Sequence, residues 1–185
     1  MPRYIKKKSE EVLSENPWWK YKHDKYTFPD GSEGDYYYGE NNGSAMVIPI
    51  LDDGRLVLVS LHRYLSDKPS IEFPCGGIEK DEVPQAAAFR ELREETGWQS
   101  DGLSKVGSFI ALNGLFKDET HLFVANNLEQ ISGPSSEPGE VTEVMYRRPD
   151  ELEDMIKRGE IWDGQTLAAW SLAREFIRSN TFRNS

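Results

Sequence analysis

The 185-residue sequence predicts an α+β fold, and three features predict it. Short apolar runs of strand length recur at Ala45–Leu51, Arg55–Leu61, Val106–Leu112 and His121–Ala125. Three later stretches carry helix signals: Val83–Thr96, a short acidic one opening at Pro149-Asp150, and a final one capped by Asp163 or Thr166 and running to about Arg178. Strands and helices do not alternate in the regular order of a parallel βαβ sheet.

At 37% hydrophobic and 29% charged, the chain suits one domain of ordinary size with an appendage. That content excludes a wholly disordered chain, and the mixed pattern excludes collagen and a long coiled coil. A net charge of −10 makes it a poor non-specific binder of nucleic acid or anionic membrane. Clustered carboxylates can still take a polyanion when metal ions intervene. Cys75 is the one cysteine, so no internal disulfide forms. With no apolar signal segment in Met1–Glu11, a reducing cytoplasm is expected. No stretch approaches the roughly 18 apolar residues of a membrane helix.

Residues 1–17 read as an irregular or helical lead-in, with Lys6–Lys8 a solvated face. Lys20–Phe28 and Asp35–Tyr38 flank the turn Pro29-Asp30-Gly31 and read as a hairpin. Nine of the 21 aromatics lie in the first 40 residues, so the hairpin must pack on the main body, a second subunit or a ligand. Residues 1–43 are therefore set apart from a main domain at 44–185. Ala45–Leu51 and Arg55–Leu61, around Asp52-Asp53-Gly54, read as two antiparallel strands, and Ser70–Phe73 as a short strand ended by Pro74. Pro84 suits the first turn of the next helix and Gly97 its left-handed cap. Strands follow at Val106–Leu112, His121–Ala125 and Thr142–Tyr146. The last two are separated by Asn126–Glu140, a long Ser/Gly/Pro-rich loop of the kind that is often functional.

The helix Val83–Thr96 breaks a local rule. Glu91, Glu94 and Glu95, at i, i+3 and i+4, share one face and repel. They also sit in the last turns, where the helix dipole disfavours anions. Such a conflict marks a functional site, here one for a hard divalent cation that prefers oxygen ligands. The alternative is a solvated acidic face compensated by Arg90 and Arg93.

The surrounding residues decide between these readings. The chain runs Gly76, five residues, Glu82, seven residues, then Arg90-Glu91-Leu92-Arg93-Glu94-Glu95-Thr96-Gly97-Trp98. This resembles the Nudix box, G-x5-E-x7-R-E-U-x-E-E-x-G-U, with U a bulky apolar residue. The departure is Trp98, where the family usually has an aliphatic residue; it bears on packing. Ile71-Glu72-Phe73-Pro74-Cys75-Gly76-Gly77 and Lys117-Asp118-Glu119 also resemble family phrases. The resemblance covers roughly residues 18–178 and is nearest the ADP-ribose and nucleoside-diphosphate-sugar pyrophosphatase branch. It implies a Nudix fold, a mixed sheet sandwiched between helices, with an N-terminal antiparallel hairpin and an intertwined homodimer.

It also implies an activity: metal-dependent hydrolysis of the pyrophosphate bond, giving a nucleoside monophosphate and a sugar phosphate. The implied cofactor is Mg2+, with Mn2+ as its alternative. Glu91 and Glu95 become the principal metal ligands, Glu94 binds or bridges a further ion, and the Cys75 carbonyl joins them. The Cys75 side chain itself reads as a small buried filler. Arg90 and Glu82 match the pair that locks the loop onto the helix. Glu140 is preferred as general base, with Glu137 and Glu143 as alternatives. Arg63 is assigned to the diphosphate, against an ordinary surface salt bridge. Trp18 or Trp19 would stack on the base, against a role in a core or dimer interface. His23, His62 and His121 show no ligand spacing and read as structural. Asn113 stands where many ADP-ribose hydrolases carry proline, which leaves other nucleotide sugars open as substrates. Two other functions stay open: a Nudix hydrolase of a dinucleotide or nucleoside triphosphate, and a non-catalytic sensing or interaction module on the same fold.

Overall fold

The computed structural model describes residues 4–135 and 143–181. In chain order the strands are β1 (Lys6–Glu15), β2 (Lys20–Thr27), β3 (Glu33–Glu40), β4 (Ser44–Pro49), β5 (Leu56–Arg63), β6 (Lys68–Glu72), β7 (Cys75–Gly77), β8 (Trp98–Ser100), β9 (Leu103–Phe109), β10 (Phe116–Lys117), β11 (Thr120–Ala125), β12 (Leu128–Gln130) and β13 (Glu143–Arg147). The helices among the described residues are α1 (Pro84–Thr96), α2 (Pro149–Lys157) and α3 (Gly164–Thr181).

The architecture is α+β. One sheet has the order β7-β4-β11-β9, with β4 and β11 parallel and the other two pairings antiparallel. Strand β4 is buried along its whole length and β11 at every residue but His121, and the two-residue period of the strand sorts their side chains. Met46, Ile48, Leu122 and Val124 face Leu152 and Met155 of α2 and Ala169, Trp170 and Ala173 of α3. Ala45, Val47, Phe123 and Ala125 face Ala87, Ala88 and Leu92 of α1. The sheet is thus sandwiched between helices. A second sheet, β13-β5-β6, contributes Leu56 and Leu58 to the first of these cores.

Residues 6–40 form a meander, β1-β2-β3, which β10 joins to the body by two parallel pairs with β3. The turn at Asp30-Gly31 follows the expected chemistry: Gly31 takes φ +90° and Asp30 accepts from the Ser32 amide.

Four expectations are corrected. Lys6–Glu15 is not an irregular or helical lead-in but a ten-residue strand, exposed throughout. Its order comes from pairing with β2 and from ion pairs of Lys7 with Asp24, Lys8 with Glu33 and Glu10 with Lys22, none of which an apolar period reveals. Strands β4 and β5 do not pair as a hairpin. They share one bridge, Ile50 to Leu56, and then diverge into different sheets, because each is buried and finds partners elsewhere. Strand β9 lies three residues nearer the N-terminus than Val106–Leu112, and a bulge in its pairing with β11 shifts the register. Finally, the Asn126–Glu140 stretch opens with β12, paired to β8, so it is not a plain loop.

Candidate active site

Helix α1 begins with Pro84 beyond an extended Val83 and ends at Gly97, with φ +74°. A Cβ at Gly97 would fall on the Ser132 carbonyl, so a side chain is excluded by space as well as by conformation. The buried stripe Ala87, Ala88 and Leu92 seats the helix on β4 and β11, and Glu91, also buried, lies along the same side. Trp98 sits in a packing position, its indole N–H 3.4 Å from the Tyr146 hydroxyl and its ring against the α1-side core.

Arg90 organises the polar side. Its Nε and Nη2 donate to Glu82 at 3.1 and 3.0 Å, and Nη2 also donates to the Gly77 carbonyl at 2.9 Å. Nη1 reaches Glu91 at 2.5 Å and Glu94 at 3.3 Å. Glu82 accepts in addition from the Glu79 amide at 2.9 Å. The loop between β7 and α1 is therefore fastened to the helix through one guanidinium. Arg90 holds the Glu82 carboxyl below the usual carboxylate range.

Glu95 accepts from the Cys75 amide at 3.1 Å. Burial, and then the Glu91 charge, push its carboxyl up to about 8. Burial likewise raises the Cys75 thiol, with Glu95 and Glu91 adding to the effect. Gly76 lies directly over Glu91: a Cβ there would fall on the Glu91 carboxylate. A side chain at this position would have to displace the Glu91 carboxylate.

Among the described residues, no group of three His, Cys, Asp or Glu side chains stands ready to hold a metal ion. Arg90 Nη1 donates to both Glu91 and Glu94. The donor set nevertheless fits a divalent cation. Buried Glu91 and half-buried Glu95 are oxygen donors, and burial, followed by the Glu91 charge, raises the Glu95 carboxyl, a cost that a cation would offset.

Arg63, at the end of β5, makes a bidentate ion pair with Glu72, which is almost wholly buried. This is not the ordinary surface salt bridge that the sequence left as its alternative, because Glu72 is buried. Glu72 lies three residues before Cys75, and its charge acts on Glu95. Glu72 was not anticipated as an anchor; its signal was an acid flanked by Ile71 and Phe73. Trp18 and Trp19 lie in the turn between β1 and β2, where both amides donate to Asn16 Oδ1 at 2.9 Å. Trp18 is 78% exposed and Trp19 41%, the latter packed edgewise on Phe116 at 6.0 Å. With Lys20 and with Lys80 from the Arg90-fastened loop they line a groove of about 470 Å³. Glu137 and Glu140 lie outside the described residues; Glu143 opens β13 opposite Ser60 and is exposed. His23 stacks on Tyr37 and bonds Asp35, and His62 lies 3.3 Å from Asp67.

A family model described as the NUDIX domain matches residues 40–170. An ADP-ribose pyrophosphatase of Bacillus subtilis (strain 168) is 28% identical over 142 residues, 76% of this chain and 77% of its own. An ADP-sugar pyrophosphatase of Mus musculus is 30% identical over 147 residues, 71% of this chain and 67% of its own. A solved structure described as the crystal structure of ADP compounds hydrolase has a TM-score of 0.83 at 21% identity, covering 95% of each chain, which is a likeness of fold.

The Glu95 carboxyl sets an expectation for stability. Unfolded, it titrates near 4.5; folded, near 8. A raised carboxyl favours folding while protonated, so its contribution is complete below the unfolded value and is lost as pH rises through the folded one. In chelator, Glu95→Gln is expected to melt above the native protein, by a gap that widens from about pH 5 to about pH 8 and reaches several degrees. Differential scanning calorimetry checks this. A native protein as stable as the variant at the upper pH removes the account of a carboxylate raised by burial and by Glu91.

Proposed function

The chain belongs to the NUDIX domain family, and from that premise we propose a metal-dependent pyrophosphatase that cleaves ADP-ribose or related nucleoside-diphosphate sugars into a nucleoside monophosphate and a sugar phosphate. One observation carries the reading. Glu91 lies beneath Gly76, Glu95 accepts from the amide of the preceding Cys75, and Arg90 ties the loop to the same helix. The named relatives that hydrolyse ADP-ribose or ADP-sugars support the substrate class.

Glu91, Glu95, Glu94 and the Cys75 carbonyl would hold Mg2+, or Mn2+ in its place. Such an ion, when bound, neutralises phosphoryl oxygens and lowers the pKa of water. Arg90 and Glu82 position the loop. Arg63, steadied by Glu72, keeps further guanidinium N–H groups for a diphosphate oxygen. Trp18 and Trp19 offer aromatic faces to a base, with Lys20 and Lys80 supplying positive charge in the same groove. Glu140, just before β13, is proposed as the base that takes the proton from the attacking water.

Residues 1–43 are proposed to join two copies into a homodimer and to shape the substrate end of the site. The support is exposure: Tyr36 and Tyr37 remain 43% and 51% exposed within one chain, beside the exposed Trp18. Isologous pairing would cover these rings on both copies at once. No helix among the described residues is long and apolar enough to cross a membrane, and the single cysteine suits a reducing compartment such as the cytoplasm.

Incubation of ADP-ribose with protein and Mg2+ is expected to yield AMP and ribose 5-phosphate, resolved by chromatography. Glu95→Gln is expected to lower turnover on the order of 100-fold at saturating metal while remaining folded; near-native turnover would end the ligand assignment. Glu140→Gln is expected to lower kcat far more than it raises KM and to leave metal affinity unchanged. If Glu137→Gln shows that pattern instead, the base is three residues earlier. Light scattering should find a dimer at micromolar protein. Removal of residues 1–39 should leave a monomer or aggregate with weakened substrate binding; a truncated chain with native KM would deny the hairpin any part in the site.

A further inference from the structure

Between β6 and β7 the chain crosses from one sheet to another through Phe73-Pro74-Cys75, and three elements hold this crossing. The Pro74 carbonyl accepts from Val47 of β4 at 2.9 Å. The Cys75 amide donates to Glu95 of α1 at 3.1 Å. The third hold comes from the start of α3: the Phe73 amide donates to the Thr166 hydroxyl oxygen at 3.4 Å. Phe73 and Thr166 are both wholly buried.

Thr166 is itself fixed. Its amide donates to Asp163 Oδ2 at 2.7 Å, with Asp163 as the N-cap of an 18-residue helix. Four residues earlier the same stretch takes hold of the other end of β6. The Trp162 indole N–H donates to the Pro69 carbonyl at 3.1 Å, and the Lys68 ammonium lies 4.0 Å over its ring. Trp162 and Thr166 thus grip Pro69 and Phe73, four residues apart on both sides. Between these grips lies Glu72, which holds Arg63. The charge of Asp163 reaches both Arg63 and Cys75.

We infer that the start of α3, Trp162 to Thr166, is a positioning clamp: it sets where β6 ends and so places the Cys75 backbone against Glu95 and Glu72 beneath Arg63. The inference rests on the pyrophosphatase reading for its catalytic meaning, but the clamp itself is a statement about backbone placement. Trp162, Asp163 and Thr166 are positioning residues and act through Phe73 and Glu72. The clamp also explains why a buried threonine occupies this point of α3: a valine of nearly the same shape would leave the Phe73 amide without its acceptor.

Thr166→Val and Thr166→Ser test it in the full-length protein. Amide hydrogen exchange, read by NMR on the metal-free chain, should show Cys75 and Phe73 exchanging at least about tenfold faster in the valine variant, with Val124 of β11 unchanged. The serine variant keeps the hydroxyl and should return Cys75 to within about twofold of native. Mn2+ affinity, read from the EPR signal of the free ion, should weaken at least about threefold in the valine variant and recover in the serine one. An unchanged Cys75 rate overturns the clamp. So does equal acceleration at Val124, which would mean general loosening. Should Thr166→Val fail to fold, Trp162→Phe decides: it removes the bond to Pro69, and an unchanged Cys75 rate overturns the inference. A native protein that binds no Mn2+ overturns the metal reading instead, while the Cys75 exchange rates still judge the clamp.

Discussion

The site depends on the guanidinium of Arg90. Three glutamates in the last turns of one helix repel each other and meet the unfavourable end of the dipole. Arg90 offsets two of them directly, and its remaining N–H groups fasten Glu82 and the Gly77 carbonyl. A planar fork of five donors can serve a carboxylate bidentately and a carbonyl together; a lysine ammonium, a single point charge, cannot. Glu95 has no bond to Arg90; it accepts from the Cys75 amide, and burial, followed by the Glu91 charge, displaces its titration upward. Metal-free, Glu95 therefore keeps its proton near neutral pH, and a bound cation would favour its release.

That arrangement needs a backbone able to pass close above α1. The crossing Phe73–Cys75 provides it, because the chain leaves one sheet and enters another just where Gly76 lies over Glu91. Proline at position 74 has no N–H to satisfy, so the crossing requires partners only for the amides on either side, and α3 and α1 supply them. The buried pair Glu72 with Arg63 belongs to the same device. The buried acid of β6 is neutralised by an arginine whose side chain stays half exposed.

The N-terminal sheet obeys a different balance. Its outermost strand has no buried residue, and it is held by pairing and by ion pairs. Bulges at Lys7/Ser9 and Val12/Ser14 and a run of lysines blunt its open edge. Its aromatics therefore serve less as a core than as surface, which is why they are assigned here to a second copy and to the substrate.

The sequence by itself determined what is local. The spacing of Glu91, Glu94 and Glu95, the helix bounded by Pro84 and Gly97, the turn at Asp30-Gly31 and the match of residues 76–98 to a family pattern all rest on residues within a few turns of one another. Pairing between distant segments was decided only by the tertiary structure. Strand β4 lies beside β11, 76 residues onward, rather than beside β5, because strands buried on both faces show no period that names a partner. Strand β1 was hidden for the opposite reason, since a fully exposed strand carries no apolar signal at all. The hold of Glu72 on Arg63, and of Thr166 on Phe73 across 93 residues, likewise arose from the folded chain, because a hydrogen bond between distant segments depends on where folding brings them and not on their spacing.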